Sequence, residues 1–195
     1  MKPVVVFGLQ DFAELAHYYL THDSPYEVVA FCVHEAYMPD TPIFKGLPVV
    51  PFEQVPQYYP PESYSFFAPM APKQINSLRK GVYETAKALG YQFISYISSR
   101  ATVFDNTIGE NCFILEDNTL QPFTQIGHNV ILWSGNHIGH HGIIHDHVMF
   151  TSHVVLSGHC EVGPQSFLGV NATIRDGLVL GEGSLIAMAA SVTQD

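Results

Sequence analysis

Histidine is concentrated in one part of this chain. Eight of its 11 histidines lie between His128 and His159, and His140 is followed directly by His141. Imidazole exchanges protons near neutral pH and is also a common ligand of transition metals. The cluster therefore indicates proton transfer or metal binding, and the fold decides which of these side chains meet.

A repeat of six residues positions the histidines. From Ile108 to Val192 every sixth residue is apolar, at fifteen positions of fifteen, and a small or β-branched residue usually follows four places later. This period is the hexapeptide signature of a parallel β-helix, in which three hexapeptides form one coil of about 18 residues. Residues 100–195 are predicted to form an all-β solenoid of about five coils.

The first 99 residues have a different pattern. Strand-like apolar runs such as Val4–Phe7 alternate with helical segments such as 11–20 and 73–88, and proline-rich connections lie between them. Alternation of this kind is typical of a small parallel α/β unit. The chain is thus predicted to contain two domains, residues 1–99 and residues 100–195.

Composition excludes several classes of protein. The 195 residues include 8 Lys and Arg against 18 Asp and Glu, a formal charge of −10, which argues against nucleic acid or an anionic membrane as a partner. No apolar run is long enough to span a bilayer. Three scattered cysteines form neither a disulfide framework nor a zinc ribbon, so a cytoplasmic location is expected.

Stacking of the coils selects His140 from the cluster. It is the third residue of its hexapeptide, beside a corner, where side chains point outward, and Gly158 lies one coil further on. A histidine beside a residue without a side chain leaves a notch that combines a general base with an exposed backbone N–H. By contrast, Cys112, Cys160, Asn118 and Asn136 fall at the small inward position and are expected to be structural.

Arg175 is the second candidate that the repeat selects. It lies two coils beyond Gly139 at the same corner, about 10 Å from His140 along the solenoid. Only Arg100 and Arg175 are basic after residue 99. Arg175 is therefore predicted either to bind a phosphate of an anionic ligand or to form a structural ion pair.

The stretch from Leu132 to Ile174, LWSGNHIGHHGIIHDHVMFTSHVVLSGHCEVGPQSFLGVNATI, resembles the hexapeptide-repeat acyltransferases. It is most similar to the branch that contains nucleotide-sugar N-acetyltransferases and sialic acid O-acetyltransferases. The resemblance implies a left-handed β-helix that binds acetyl-CoA, preceded by a Rossmann-like domain that binds a nucleotide sugar. It also implies a homotrimer with a CoA groove between neighbouring subunits.

Site residues follow from this resemblance. The catalytic base of the family falls on His140, and the residue after it, often acidic in the family, is His141 here. Asp146 or a residue of a neighbouring subunit is the candidate to replace that carboxylate. Acyl-CoA contacts fall on Met149, where the family has a histidine, on Gly158, whose N–H faces the thioester oxygen, and near Val170 and Met188.

In the N-terminal domain the resemblance is looser. Nucleotide-sugar contacts fall on Gly8, the one glycine kept from the family's glycine-rich loop, on His34 after the second strand, and on Met70, where the family usually has glycine. The predicted function is acetyl transfer from acetyl-CoA to an amino or hydroxyl group of a nucleotide-linked sugar in bacterial glycan synthesis. Neither a protein nucleophile nor a metal cofactor is expected.

Two alternatives stay open. A metalloprotein of the γ-carbonic-anhydrase type would use His140 and His145, which have the required five-residue spacing, but the third ligand two coils earlier is absent. His141 and His159, one coil apart, are a weaker metal-binding pair. The other alternative is a trimeric binding protein that has kept the β-helix and lost the activity.

Overall fold

The structure is a computed structural model that describes residues 2–194. Contacts divide the chain into two compact units. The first comprises Met1–Ala71 and Gly81–Ile94, and the second comprises Pro72–Lys80 and Ser95–Asp195. Among the described residues, no helix is both long and apolar enough to span a membrane.

The first unit contains a six-stranded sheet. Its elements are β1 (Val4–Phe7), α1 (Asp11–His22), β2 (Val28–Val33), β3 (Ile43–Phe44), β4 (Leu47–Pro51), α2 (Val55–Tyr58), β5 (Ser65–Phe67) and β6 (Gln92–Phe93), with short 3-10 turns at Glu35–Tyr37 and Phe52–Gln54. The strand order is β3-β4-β2-β1-β5-β6, and all neighbours are parallel except β3 and β4. All four residues of β1 are buried, as expected for a central parallel strand covered on both faces. Helix α3 (Ser77–Ala88) contributes residues to both units.

The second unit is a coil of two-residue strands that pair in three parallel sheets. These sheets fit the predicted left-handed β-helix. In chain order the strands are β7 (Tyr96–Ile97), β8 (Thr102–Val103), β9 (Thr107–Ile108), β10 (Phe113–Ile114), β11 (Thr119–Leu120), β12 (Gln125–Ile126), β13 (Ile131–Leu132), β14 (His137–Ile138), β15 (Ile143–Ile144), β16 (Met149–Phe150), β17 (Val155–Leu156), β18 (Glu161–Val162), β19 (Phe167–Leu168), β20 (Thr173–Ile174), β21 (Val179–Leu180), β22 (Leu185–Ile186) and β23 (Ser191–Val192).

The hexapeptide positions form the core of the coil, as predicted. The second residue of each strand from β10 to β20 is buried, and so are the small residues Cys112 and Cys160. Burial raises the pKa of the Cys112 thiol to about 11, which fits a core filler. Asn136 donates from Nδ2 to Oδ1 of Asn118 at 2.9 Å, so these two buried amides form the expected polar ladder.

The coil begins two strands, β7 and β8, before the first residue of the apolar repeat. Strand β7 pairs with β10 in a register that joins Tyr96 to Phe113, an offset of 17 residues, whereas Thr107 and Gln125 in the following strands are 18 apart. One residue is therefore missing from the first coil between β8 and β9. This shift breaks the period of six and explains why the pattern could be followed only from Ile108.

The corners of the coil require an unusual backbone. Every sixth residue from Asn111 to Ala189 has a positive φ, between 55° and 80°, and four of these residues are histidines: His141, His147, His153 and His159. Histidine is among the residues that enter the left-handed region more often than most. Part of the histidine cluster thus has a conformational explanation that involves no chemistry.

A buried arginine fixes the segment 72–80 to the coil. Arg79 is fully buried and donates from its guanidinium to the carbonyl oxygens of Asn129 and Val148. Burial lowers the pKa of Arg79 to about 9. Asn76 on the same segment donates to the carbonyl oxygens of Gln165 and Ser166, so this segment is held mainly by hydrogen bonds to the backbone of the coil.

Candidate active site

The candidate site lies at the corner between β14 and β15. Gly139 begins this corner, and a Cβ atom there would lie 2.5 Å from the backbone nitrogen of Gly158 in the next coil. Real Cβ atoms essentially never approach so closely, and only glycine fits. Because the two turns approach so closely here, the residue after Gly139, His140, lies directly against Gly158 in the next turn.

His140 is held at its backbone and exposed at its ring. Its N–H donates to Oε1 of Gln121 in the preceding coil at 2.9 Å. Its side chain points outward, as predicted from its place in the repeat, and is exposed. The backbone is thus fixed by a neighbouring coil while the imidazole remains accessible.

The imidazole of His140 lies in the notch above Gly158. A Cβ atom on Gly158 would lie 2.8 Å from both Cε1 and Nε2 of His140. Among the residues that the structure describes, the N–H of Gly158 has no hydrogen-bond acceptor. The His140 ring and the glycine at residue 158 therefore stack, as their spacing of 18 residues predicts.

The second ring nitrogen of His140 faces His141. The two Nδ1 atoms are 3.1 Å apart, a hydrogen-bonding distance in which one of them donates and the other accepts. When Nδ1 of His140 carries the hydrogen, Nδ1 of His141 is the acceptor and Nε2 of His140 keeps a free lone pair. His141 thus takes the position of the acidic residue that the resemblance implies.

A column of rings supports His141. Phe123 lies one coil before it and His159 one coil after it, with ring centroids 4.7 Å and 4.8 Å from that of His141. The His141 and His159 rings are nearly parallel, at 14°, and the His140 ring is perpendicular to both. Residues 123, 141 and 159 all have the positive φ of a corner, so the shared backbone conformation aligns the column.

Two other partners considered for His140 lie at a different corner. Asp146 accepts the backbone N–H of His128 at 2.7 Å, and His145 contacts Oε1 of Glu161 at 2.6 Å. Asp146 is therefore not the substitute carboxylate of His140. His145, which the γ-carbonic-anhydrase alternative needs beside His140, is paired with Glu161 instead, and the described histidines that meet as a group of three are His140, His141 and His159.

The residues expected to contact acyl-CoA are distributed over the coil. Arg175 is exposed and lies two coils beyond Gly139 at the same corner. Val170 and Met188, 36% and 73% exposed, stack at another corner, where Ala189 donates its N–H to the carbonyl of Val170. Met149 is buried on β16, with 3% of its surface exposed. Within one chain, only Gly158 of this set adjoins His140.

The three residues expected to contact a nucleotide sugar lie at one edge of the first unit's sheet. Gly8 follows β1 with a φ of +112°, His34 follows β2, and Met70 follows β5 by three residues. These strands are parallel, so their carboxyl ends share this edge. Ligands of open α/β sheets bind outside the carboxyl ends of the strands.

His34 is held in place by two kinds of contact. Its Nδ1 is 2.8 Å from Oε1 of Glu53, and its ring meets the edges or faces of Phe7 and Phe52. Burial opposes ionisation of Glu53, but hydrogen bonds from His34 and from the N–H of Glu35 outweigh it and lower the pKa of that carboxyl. An ordered imidazole and carboxylate therefore line this edge.

Two residues of the site were missed from the sequence. Gln121 holds the backbone of His140, and Phe123 ends the ring column. Both lie 18 or 19 residues before the histidines they contact, so the same coil spacing that selected Gly158 also identifies them. Their residue types, amide and phenyl, carried no chemical signal of their own.

The coil and its stacked corner define a class of protein. The chain has the fold of the hexapeptide-repeat sugar acyltransferases, which confirms the resemblance expected from the repeat. Perosamine N-acetyltransferase from Caulobacter crescentus, solved with CoA and GDP-perosamine, superimposes with a TM-score of 0.88 and 21% identity over 100% of this chain and 90% of that chain. The acetyltransferase domain of PglB from Neisseria gonorrhoeae gives a TM-score of 0.86 and 20% identity, covering 100% of this chain and 93% of that domain.

A curated relative is similar in sequence. The acyl-[acyl-carrier-protein]–UDP-N-acetylglucosamine O-acyltransferase of Campylobacter concisus is 30% identical over 95 residues, which cover 45% of this chain. The chain spans 36% of that relative's length. No protein-family profile matches the chain.

Proposed function

We propose that the protein transfers an acetyl group from acetyl-CoA to an amino or hydroxyl group of a nucleotide-linked sugar, in bacterial glycan synthesis. The observation that carries this proposal is the position of the His140 imidazole against Gly158. The related fold binds CoA and GDP-perosamine in the Caulobacter crescentus enzyme and acetyl-CoA in the PglB domain, which supports the same classes of ligand here.

In the proposed reaction His140 is the general base. Nε2 accepts the proton as the sugar nitrogen or oxygen attacks the thioester carbonyl, and His141 keeps the opposite nitrogen in the donating tautomer. The N–H of Gly158 donates to the oxyanion of the tetrahedral intermediate. When the C–S bond breaks, His140 returns the proton to the leaving thiolate, so the products are the acetylated sugar and CoA.

We propose that the Rossmann-like domain, residues 1–99, binds the nucleotide sugar. The strand order β4-β2-β1-β5-β6 matches the order of a doubly wound parallel sheet, and Gly8, His34 and Met70 lie at the edge where such sheets bind nucleotides. Residues 100–195 then form the domain that binds acetyl-CoA and carries the base.

We also propose a homotrimer with the acyl-CoA groove between subunits. Val170 and Met188 lie at a different corner from His140. We propose that one acyl-CoA contacts His140 of one subunit and Val170 and Met188 of a neighbouring subunit. Arg175 is proposed to bind a CoA phosphate, and Met149, being buried, to support the groove from within. Buried free cysteines and acetyl-CoA as co-substrate fit a cytoplasmic location.

The experiment is a substrate panel. Purified protein is incubated with acetyl-CoA and with GDP- and UDP-linked amino sugars, and products are identified by mass spectrometry. We expect acetylation of at least one nucleotide-linked sugar with stoichiometric release of CoA. Absence of product across the panel, in protein that binds acetyl-CoA by calorimetry, supports the alternative of a non-catalytic binding protein.

A further inference from the structure

Three histidines meet at the candidate site, and the proposed reaction uses only two of them. We propose that His140, His141 and His159 bind one divalent transition-metal ion, such as Zn²⁺, and that this ion inhibits acetyl transfer. The metal site stands on geometry alone, whereas its inhibitory effect rests on the proposed function. The ion is an inhibitor in this account, and the reaction itself needs none.

The distances suit a single ion. Each of the three side chains offers one ring nitrogen, and these nitrogens lie within 4.8 Å of one another. Nδ1 of His140 and Nδ1 of His141 are already 3.1 Å apart. Zinc bound at about 2.0–2.1 Å with tetrahedral geometry places its ligand atoms roughly 3.4 Å apart. Side-chain rotation therefore has to shorten the longer of these separations before all three nitrogens can bind one ion.

The backbone holds the three residues at fixed positions. His159 donates its N–H to the carbonyl of His140 at 2.9 Å, and His141 and His159 have nearly identical φ values, 57° and 58°. Their rings stack, so one ring turns about χ2 before its lone pair points at the ion. All three side chains are exposed, and the turn therefore occurs in water without loss of buried packing.

The ligand set selects the kind of metal. Three imidazoles favour Zn²⁺, Co²⁺, Ni²⁺ and Cu²⁺, whereas Mg²⁺ and Ca²⁺ require carboxylate and carbonyl oxygens. Three protein ligands leave the fourth position to water, as in open zinc sites. The three imidazole ligands are therefore expected to bind these transition metals in preference to Mg²⁺.

Metal binding and the proposed base compete for the same ring. An ion on Nδ1 of His140 leaves the ring hydrogen on Nε2, the atom that faces Gly158. Nε2 then has no lone pair with which to accept a proton from the sugar. Occupation of the site is therefore expected to stop acetyl transfer without displacing the ligands of the other domain.

Metal binding is tested first, without substrates. Untagged full-length protein is titrated with Co²⁺ and followed by visible absorption, with Zn²⁺ as competitor and Mg²⁺ as a negative control. We expect one saturable Co²⁺ site per chain, displaced by Zn²⁺ and not by Mg²⁺. His159→Asn and His141→Asn are expected to weaken binding at least tenfold, and asparagine is chosen because it tolerates the positive φ of these corners.

His153→Asn is the matched control. His153 is exposed and has a φ of 60°, like His159, but lies outside the cluster. This variant should bind Co²⁺ as wild type does, and circular dichroism melts should show all three variants folded. Absence of a saturable Co²⁺ signal in the wild type, or equal affinity in His159→Asn, overturns the proposed site.

Inhibition is tested second, on the acetylated product. Zn²⁺ should inhibit the wild type, a chelator should restore its rate, and His159→Asn should need at least ten times more Zn²⁺ for the same inhibition. Stoichiometric Zn²⁺ binding without inhibition overturns the inhibitory role. Metal binding in a protein that acetylates no sugar overturns the proposed function and the inhibition, but not the metal site. Acetylation by a protein that binds no metal overturns the metal site and the inhibition, but not the proposed function.

Discussion

His140 and Gly158 share one space, since the imidazole of the first lies where a side chain of the second would begin. A Cβ atom on residue 158 would lie 2.8 Å from Nε2 of His140. Glycine therefore keeps open the side of the ring that is proposed to accept a proton. The predictions on catalysis follow from this relationship.

Gly158→Ala is expected to lower kcat at least tenfold with little loss of stability. The new methyl group meets only the end of an exposed ring, so the ring turns away and the free energy of unfolding changes by less than about 1 kcal/mol. Steady-state CoA release and urea denaturation measure the two effects. Wild-type kcat in this variant would show that the notch has no catalytic role.

Gly139→Ala provides the contrast. There the methyl group would meet backbone atoms of the next coil at 2.5 Å, and the coils have to separate. We expect a loss of stability clearly larger than that of Gly158→Ala in the same denaturation experiment. Equal stability of the two variants would contradict the packing described for this corner.

His141→Ala is expected to reduce kcat about 10- to 100-fold, because His140 loses the acceptor that orients its ring. His141→Asp should restore much of the rate and move the acidic limb of the pH–rate profile to higher pH, because a carboxylate favours the protonated form of the neighbouring imidazole. Rates and pH profiles of both variants test this. A purely structural role for His141 predicts an unchanged profile.

Arg79→Met is expected to destabilise the protein by about 2–4 kcal/mol. The substitution leaves the carbonyl oxygens of Asn129 and Val148 without their charged donor, and hydrogen bonds to charged groups contribute about 1.5–3 kcal/mol each. Urea denaturation measures the change, and Lys87→Met on the exposed side of the same helix is the control. Equal effects of the two substitutions would contradict a specific role for Arg79.

His147 makes stability depend on pH below neutrality. Burial lowers its pKa to about 4 from an ordinary value of 6.5, with the nearby Arg79 cation contributing. Between these two pKa values the unfolded state takes up a proton that the folded state does not. The contribution of His147 to the free energy of unfolding is therefore fully present above pH 6.5 and is lost as the pH falls from 6.5 towards 4.

The His147→Asn variant isolates this dependence. Asparagine fits the positive φ of residue 147 and has no proton to gain. Over the interval from pH 6.5 to 4, the free energy of unfolding should fall more steeply in the wild type, by up to about 1.4 kcal/mol per pH unit. Parallel curves for the two proteins would refute the assignment to His147.

The repeat predicts the coil from the sequence because each hexapeptide places an apolar residue inward, and no long-range information is needed. The contact of His140 with Gly158 follows from the same arithmetic, because residues 18 apart stack. Strands β7 and β8 do not follow the repeat because one residue is absent between β8 and β9, so their second residues, Ile97 and Val103, lie one place out of the period of six.

Other features depend on information that the pattern does not carry. The left-handed backbone at the corners accounts for His147 and His153, which composition alone associates with chemistry. The burial of Arg79 arises where segment 72–80 meets the coil, far away in sequence. Asp146 was a plausible partner of His140 by type and was excluded only by the corner at which it lies.

The most direct test of the central claim is kcat for acetyl transfer in His140→Ala, with acetyl-CoA binding measured in parallel and His153→Asn as the control. We predict a loss of at least about 100-fold in kcat, since general-base catalysis contributes about 10²–10⁴-fold, with acetyl-CoA affinity unchanged and full activity in the control. Equal kcat for His140→Ala and the wild type would contradict the account.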